Sequence, residues 1–143
     1  MINNYNVTKA TVRIAKHEGF SSKPYKDTVG ILTIGYGRNI EENGVSTGEA
    51  LILLANDIKA AAEECVLYVQ GWAELDGVRQ EVLVNMMFNM GSPRFRKFVN
   101  TLAAVERGDY ATAADEMVDS KWARQVGYRA AELSNMMRTG KDG

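Results

Sequence analysis

A chain of 143 residues, 45% hydrophobic and 24% charged, has the length and composition of one globular unit with a sizeable core. Two prolines and no low-complexity run exclude a long disordered linker, and the lone cysteine, Cys65, excludes an intramolecular disulfide. A net charge of −1, a pI near 5.9 and the lack of a basic stripe interleaved with aromatics argue against a nucleic-acid partner.

Val7, Val12, Ile14 and Ala15 have rough helical spacing and predict a first helix that Gly19 stops, with Glu18 at its end. A polar, turn-rich connection follows, with Ser21-Ser22-Lys23-Pro24 before Asp27 and Gly30 after it. Ile31 to Gly37 is a β-rich run punctuated by glycines and carrying Thr33. Together with the polar Asn39 to Gly44 it reads as a small antiparallel sheet with its turns. Ser46-Thr47-Gly48-Glu49 has the form of a capping box, so Ser46 or Thr47 opens a long helix. Its expected apolar stripe is Leu51, Leu54, Ala55, Ile58, Ala62, Cys65 and Val69, and Gly71 breaks it. Cys65 on that stripe reads as a packing residue rather than a reactive thiol. A helix of some twenty residues spans about 30 Å, enough to join two lobes.

After Asp76, the stretch Val78 to Met90 is apolar nearly all round, as in a helix at the centre of a bundle. Asn85 and Asn89 share one face of it. They can bond core backbone or point into a cleft, and Asn85 is assigned to the first. Ser92-Pro93 reads as a cap followed by proline at the first helical position. Asn100 is expected to cap the next helix, Asp109 one reaching about Val118, and Ser120 a short one ended by Gly127. Tyr128 to Met137 is the last, with Gly140 past its end. The seven methionines are assigned to packing.

Glu18, Asp27 and Thr33 lie on three kinds of local structure in succession: a helix end, a loop and a strand. Hydrolysis of a glycosidic bond needs an acid to protonate the leaving oxygen and a carboxylate to activate water or attack the sugar. The acid must keep its proton at neutral pH. The negative end of its own helix and partial burial beside Phe20 would favour this at Glu18, while Asp27 in a polar loop would stay ionised. The bland alternative is a solvated glutamate at a helix end. His17, the sole histidine, adjoins Glu18 on a helix, no carboxylate cluster has ligand spacing and no glycine loop suits a phosphate. No metal and no cofactor are therefore expected.

These residues belong to a longer pattern: Glu18-Gly19, Asp27-Thr28 and Thr33-Ile34-Gly35, then Asp76-Gly77-Val78-Arg79 and Asn85-Met86-Met87-Phe88-Asn89-Met90-Gly91. Phe98-Val99-Asn100-Thr101-Leu102, Ser120-Lys121-Trp122 and Arg138-Thr139-Gly140 complete it. In this order, over nearly the whole chain, the set resembles the phage-type lysozymes, the muramidase endolysins of tailed bacteriophages. The resemblance implies one lysozyme domain over residues 1–143 with an α+β, mainly α fold. A small N-terminal lobe (about 13–46) would hold a short antiparallel sheet, and a connecting helix (about 47–69) would lead to a C-terminal helical lobe (about 70–143, plus the N-terminal helix).

The same resemblance implies hydrolysis of the β-1,4 bond between N-acetylmuramic acid and N-acetylglucosamine in bacterial peptidoglycan, causing host cell lysis. Glu18 would be the proton donor, Asp27 the second carboxylate and Thr33 the hydroxyl that positions the attacking water. The family inverts the anomeric centre, which calls for carboxyl groups roughly 6.5–9.5 Å apart. Arg129 matches the arginine that pairs with the acid, and Phe88, Asn89 and Thr101 match positions lining the sugar site. Phe88 reads equally well as core. Asn39 and Glu116 align with two further contact positions where a familiar member has leucine and asparagine, and Arg38 replaces a familiar histidine. These departures bear on wall preference and leave catalysis intact.

The N-terminus has no apolar core of signal-peptide length, and nothing approaches a membrane span. The resemblance then implies a monomer, without stable membrane association, held in the host bacterial cytoplasm until a separate holin-type membrane protein lets it reach the periplasmic wall. Residues 1–38 carry six Lys and Arg against Glu18 and Asp27, and residues 39–76 carry Lys59 alone against eight acids. That asymmetry either steers an anionic wall or is ordinary solvated charge. A non-catalytic peptidoglycan-binding module on the same fold is the alternative function. Membrane disruption is weaker, because Tyr128 to Gly143 sets Arg129, Arg138 and Lys141 against Glu132 and Asp142.

Overall fold

The computed structural model describes residues 4–143. The chain divides into two compact units, the first reaching to Leu51 and the second running from Ile52 to Gly143.

In the first unit, helix α1 (Val7–Glu18) starts at Asn6, whose side-chain oxygen accepts from the Lys9 amide at 2.9 Å, and ends at Gly19. None of its residues is buried; the expected apolar face, with Val7, Val12 and Ile14, is open. Strands β1 (Ser21–Lys26), β2 (Leu32–Gly35) and β3 (Arg38–Asn39) form an antiparallel sheet in sequence order. The turn-rich reading of Ser21 to Pro24 is corrected here, since these residues belong to β1. Pro24 is tolerated because β1 is an edge strand and its register slips between Ser21 and Tyr25, where no ladder bond from residue 24 is required. A second correction concerns Asn39 to Gly44. Only Asn39 is strand, and Ile40–Asn43 form a short helix, α2, because the Asn39 side chain accepts from the Glu42 amide at 3.0 Å.

The capping box is present at the start of α3 (Thr47–Tyr68). Ser46 Oγ accepts from the Glu49 amide at 3.1 Å, and Glu49 Oε1 accepts from the Ser46 amide at 2.8 Å. Arg38 completes this corner. One of its nitrogens donates to the Gly44 carbonyl at 2.9 Å, and the guanidinium pairs with both oxygens of Glu49. First the hydrogen bonds from Arg38, then those from Ser46, hold the Glu49 carboxyl down at about 2.

Helix α3 continues into the second unit, where Ala61, Cys65 and the following Val69 are buried but Leu54 and Ile58 are exposed. The expected stripe is thus buried only in its second half. Burial pushes the Cys65 thiol up to about 12, consistent with packing and not reactivity. A single 3₁₀ turn (Trp72–Glu74) leads to α4 (Gly77–Met90), capped by Asp76 and burying Val82, Leu83, Met86, Met87 and Met90. Helices α5 (Ser92–Phe95), α6 (Val99–Glu106), α7 (Tyr110–Val118), α8 (Lys121–Val126) and α9 (Tyr128–Thr139) complete the unit. Asp109 and Ser120 cap α7 and α8 as expected. Two caps are corrected. Gly91 rather than Ser92 opens α5, and Asn100 lies inside the first turn of α6, whose cap position is Phe98.

The core joins Leu83 and Met86 of α4 to Phe95, Met117, Leu133 and Met137. Arg79 locks its rim, donating to the carbonyls of Met137 at 2.7 Å and Arg138 at 3.1 Å while stacking over Tyr110. A guanidinium on the last carbonyls of α9 satisfies orphan acceptors and complements the negative helix end. Among the described residues no helix is long and apolar enough to cross a membrane.

Candidate active site

Glu18, Asp27 and Thr33 all fall in the first unit. Glu18 is the last residue of α1, Asp27 opens the loop between β1 and β2, and Thr33 sits on β2.

The Asp27–Gly30 loop is built around the Asp27 carboxylate. Its Oδ1 accepts from the amides of Val29 and Ile31, each at 2.9 Å, which is the local bonding that makes aspartate a turn former. Oδ1 thus fixes the side chain, while Oδ2 makes no hydrogen bond to the protein among the described residues.

Thr33 is the only buried residue among the described residues of this unit, 4% exposed. It occupies the central strand, opposite Tyr25 on one side and Asn39 on the other. Its hydroxyl donates to the Ile31 carbonyl at 2.9 Å. That carbonyl also accepts the Asp27 amide at 2.9 Å, while the Ile31 amide donates to Asp27 Oδ1. The backbone N–H and C=O of Ile31 therefore tie Asp27 and Thr33 together by three hydrogen bonds. Because the hydroxyl proton is committed to Ile31, Thr33 can only accept from a third partner. A water donating to Thr33 would keep its lone pairs for attack.

Glu18 is exposed, and the expected burial beside Phe20 is corrected. The Phe20 ring is 66% exposed and turns to Tyr36, with ring centroids 5.2 Å apart. What Glu18 does meet is backbone. A Cβ built on Gly37 would lie 2.5 Å from Glu18 Oε2 and 2.8 Å from Cδ, so the carboxyl rests against the bare Cα of the β2–β3 turn. Reading the sequence for carboxylates and hydroxyls missed both Ile31, which acts through its peptide, and Gly37, which acts through the side chain it lacks.

Asn39, expected at a sugar contact, has both ends of its side chain on α2: besides capping, its amide nitrogen donates to Glu42 Oε2 at 3.2 Å. The remaining expected residues lie in the second unit. Arg129 donates from Nε to Asn85 Oδ1 at 2.8 Å, and both line a cavity of about 340 Å³ with Phe88 and Glu81. Asn85 thus bonds a side chain, not core backbone. Phe88 is 42% exposed and does not belong to the core. Asn89 accepts from the Trp122 indole N–H at 2.9 Å. Thr101, itself buried, and Glu116 line a second cavity of about 500 Å³, floored by Phe98 and Trp122 and rimmed by Lys97 and Lys121. Among the described residues no three His, Cys, Asp or Glu side chains gather to hold a metal ion.

Comparison with known proteins bears on this arrangement. The chain is 27% identical to "Probable T4-type lysozyme 1" of Dictyostelium discoideum, over 86% of this chain and 89% of the relative. It is 30% identical to "SAR-endolysin" of Escherichia phage Mu, over 82% of this chain and 68% of the relative. It is also 27% identical to "Pre-baseplate central spike protein Gp5" of Enterobacteria phage T4, over 96% of this chain but only 28% of that larger protein. Residues 15–139 match the phage lysozyme family, so Glu18, Asp27 and Thr33 all lie within the matched segment, and the chain belongs to that family.

Proposed function

We propose that this chain is a muramidase that hydrolyses the β-1,4 bond between N-acetylmuramic acid and N-acetylglucosamine in bacterial peptidoglycan, with inversion. Glu18 protonates the leaving oxygen. Asp27 takes a proton from water through its free Oδ2, and Thr33 accepts the water's other hydrogen, so that a lone pair is aimed at the anomeric carbon. The observation that carries this reading is the Ile31 backbone, whose N–H and C=O hold the Asp27 carboxylate and the Thr33 hydroxyl in one hydrogen-bonded unit. Phe88, Asn89, Thr101 and Glu116 would bind sugar from the helical unit, and Arg129 would support the acid.

The wall lies outside the cytoplasmic membrane. The enzyme would act there as a monomer, after a separate holin-type membrane protein has let it out of the host cytoplasm. Enzyme found outside intact cells that lack such a protein would overturn that part.

The test of the reaction is Glu18→Gln. Clearing of outer-membrane-permeabilised bacteria and release of reducing ends should both fall by about 10²–10⁴-fold, the usual worth of a positioned acid or base, in a protein that still folds. Binding to purified peptidoglycan by wild type without reducing ends would instead identify a wall-binding module. Proton NMR of the first product should show the α-anomer; a retained β-anomer would refute inversion.

A further inference from the structure

We propose that Gly37 is the positioning residue for the acid: the absence of a side chain there creates the seat in which the Glu18 carboxyl lies. The proposal rests on the muramidase reading for its catalytic consequence, but its geometric content stands by itself.

Tyr36-Gly37 is the turn between β2 and β3, and two of its contacts face the end of α1. The Tyr36 ring lies tilted against Phe20, one residue past Gly19, and Gly37 meets Glu18, one residue before it. The helix end is thus held on the hairpin tip from both sides of its stop residue. At Gly37 a Cβ would stand 2.5 Å from Oε2 and 2.8 Å from Cδ of Glu18, closer than real Cβ contacts come, and a tight 3.2 Å from Cγ. Something must give way, and the atoms in the way are the far end of an exposed, flexible side chain rather than backbone. The fold can therefore absorb a methyl group at residue 37 by moving the acid. The consequence belongs in the rate, where misplacing a reacting group by about 1 Å can cost on the order of 100-fold.

Gly37 also has φ +72°, so any side chain there is strained in its own right. The molecule supplies the control for that. Gly35, two residues earlier, has φ +69° and nothing within 4 Å of its built Cβ. Gly35→Ala carries the backbone strain without the collision, and Gly37→Ala carries both.

The experiment compares wild type, Gly35→Ala and Gly37→Ala by thermal unfolding, by kcat and KM for reducing-end release, and by the carbon-13 resonance of the Glu18 carboxyl. Gly37→Ala should match Gly35→Ala in melting temperature and KM, fall a further 100-fold or so in kcat, and alone shift the Glu18 carboxyl resonance. An unmoved Glu18 resonance, or the same kcat loss in both variants, overturns the proposal. Should wild type release no reducing ends, the muramidase reading fails, and the resonance comparison alone decides whether Gly37 seats Glu18. Should Gly37→Ala not fold, Glu18→Ala is added to it. Recovery of folding by removal of the carboxyl supports the collision, and continued failure overturns it.

Discussion

Of the described residues up to Leu51 only Thr33 is buried, whereas the chain from Ile52 onward buries nineteen apolar side chains around Leu83, Phe95, Met117 and Leu133. The first unit is held by directional bonds: the two amides on Asp27, the Ile31 carbonyl shared by Asp27 and Thr33, and the Arg38 grip on Gly44 and Glu49. The second is held by packing that has no direction and that scales with area. Directional bonds fix individual atoms in place, which is what a reacting pair needs, and each contributes only about 0.5–1.5 kcal/mol net. Apolar packing supplies stability in bulk and fixes no single oxygen. Substitutions at the bonded side chains of the first unit should therefore change rate with little effect on stability, and substitutions in the apolar core of the second the reverse.

Asp27→Asn breaks the comparison most sharply if it fails. The amide oxygen can still accept from Val29 and Ile31, so the loop keeps its bonds, while the group offered to water becomes a donor. Reducing-end release should drop by about 10²–10⁴-fold. The unfolding free energy from urea titration should stay within about 1 kcal/mol of wild type, the worth of weakening one hydrogen-bonded carboxylate. A large loss of stability would mean that the carboxylate's charge, and not its geometry, holds the loop.

Leu83→Ala tests the other side. Leu83 is fully buried at the centre of α4, so the change should cost about 2–5 kcal/mol in denaturant unfolding followed by circular dichroism. Where the variant is still folded, kcat should remain within a few-fold of wild type. A loss below about 1 kcal/mol would show that the helical core is loose enough to collapse around the missing atoms.

The same division explains what could be read from the sequence. The capping box at Ser46 and Glu49, the caps at Asp109 and Ser120, and the all-round apolar α4 are local or periodic signals, and the structure contains each of them. Strand β1 was hidden because Ser21 to Pro24 has turn composition, and only its edge position and slipped register make it a strand. α2 was hidden because Asn39, the last strand residue, caps the helix that follows without a break. The exposure of Leu51, Leu54 and Ile58 shows a further limit, since periodicity says which face a helix would bury and not whether anything covers it. At the candidate site the three side chains were legible as residue types. Their supports were not, because Ile31 acts through backbone groups that every residue possesses and Gly37 through an absence.

The smallest effect expected is at Glu49, and it sharpens the claim that directional bonds govern the first unit. The Arg38 hydrogen bonds, followed by those of Ser46, hold its carboxyl at about 2 against an ordinary 4.5. A depressed carboxylate stabilises the fold above its ordinary value, and that contribution is lost as pH falls from about 4.5 to about 2. Since the pair is open to solvent and screened, little stability is at stake, and the position of the titration is the better readout. Glu49 Oε1 accepts the Ser46 amide, so the nitrogen-15 shift of Ser46 should report the protonation, with its midpoint near pH 2 in wild type. Arg38→Gln removes the largest cause and should bring that midpoint back toward 4.5. An unchanged midpoint would mean that the Ser46 bonds alone hold Glu49 ionised, making the capping box and not the arginine the element that fixes the corner between β3 and α3.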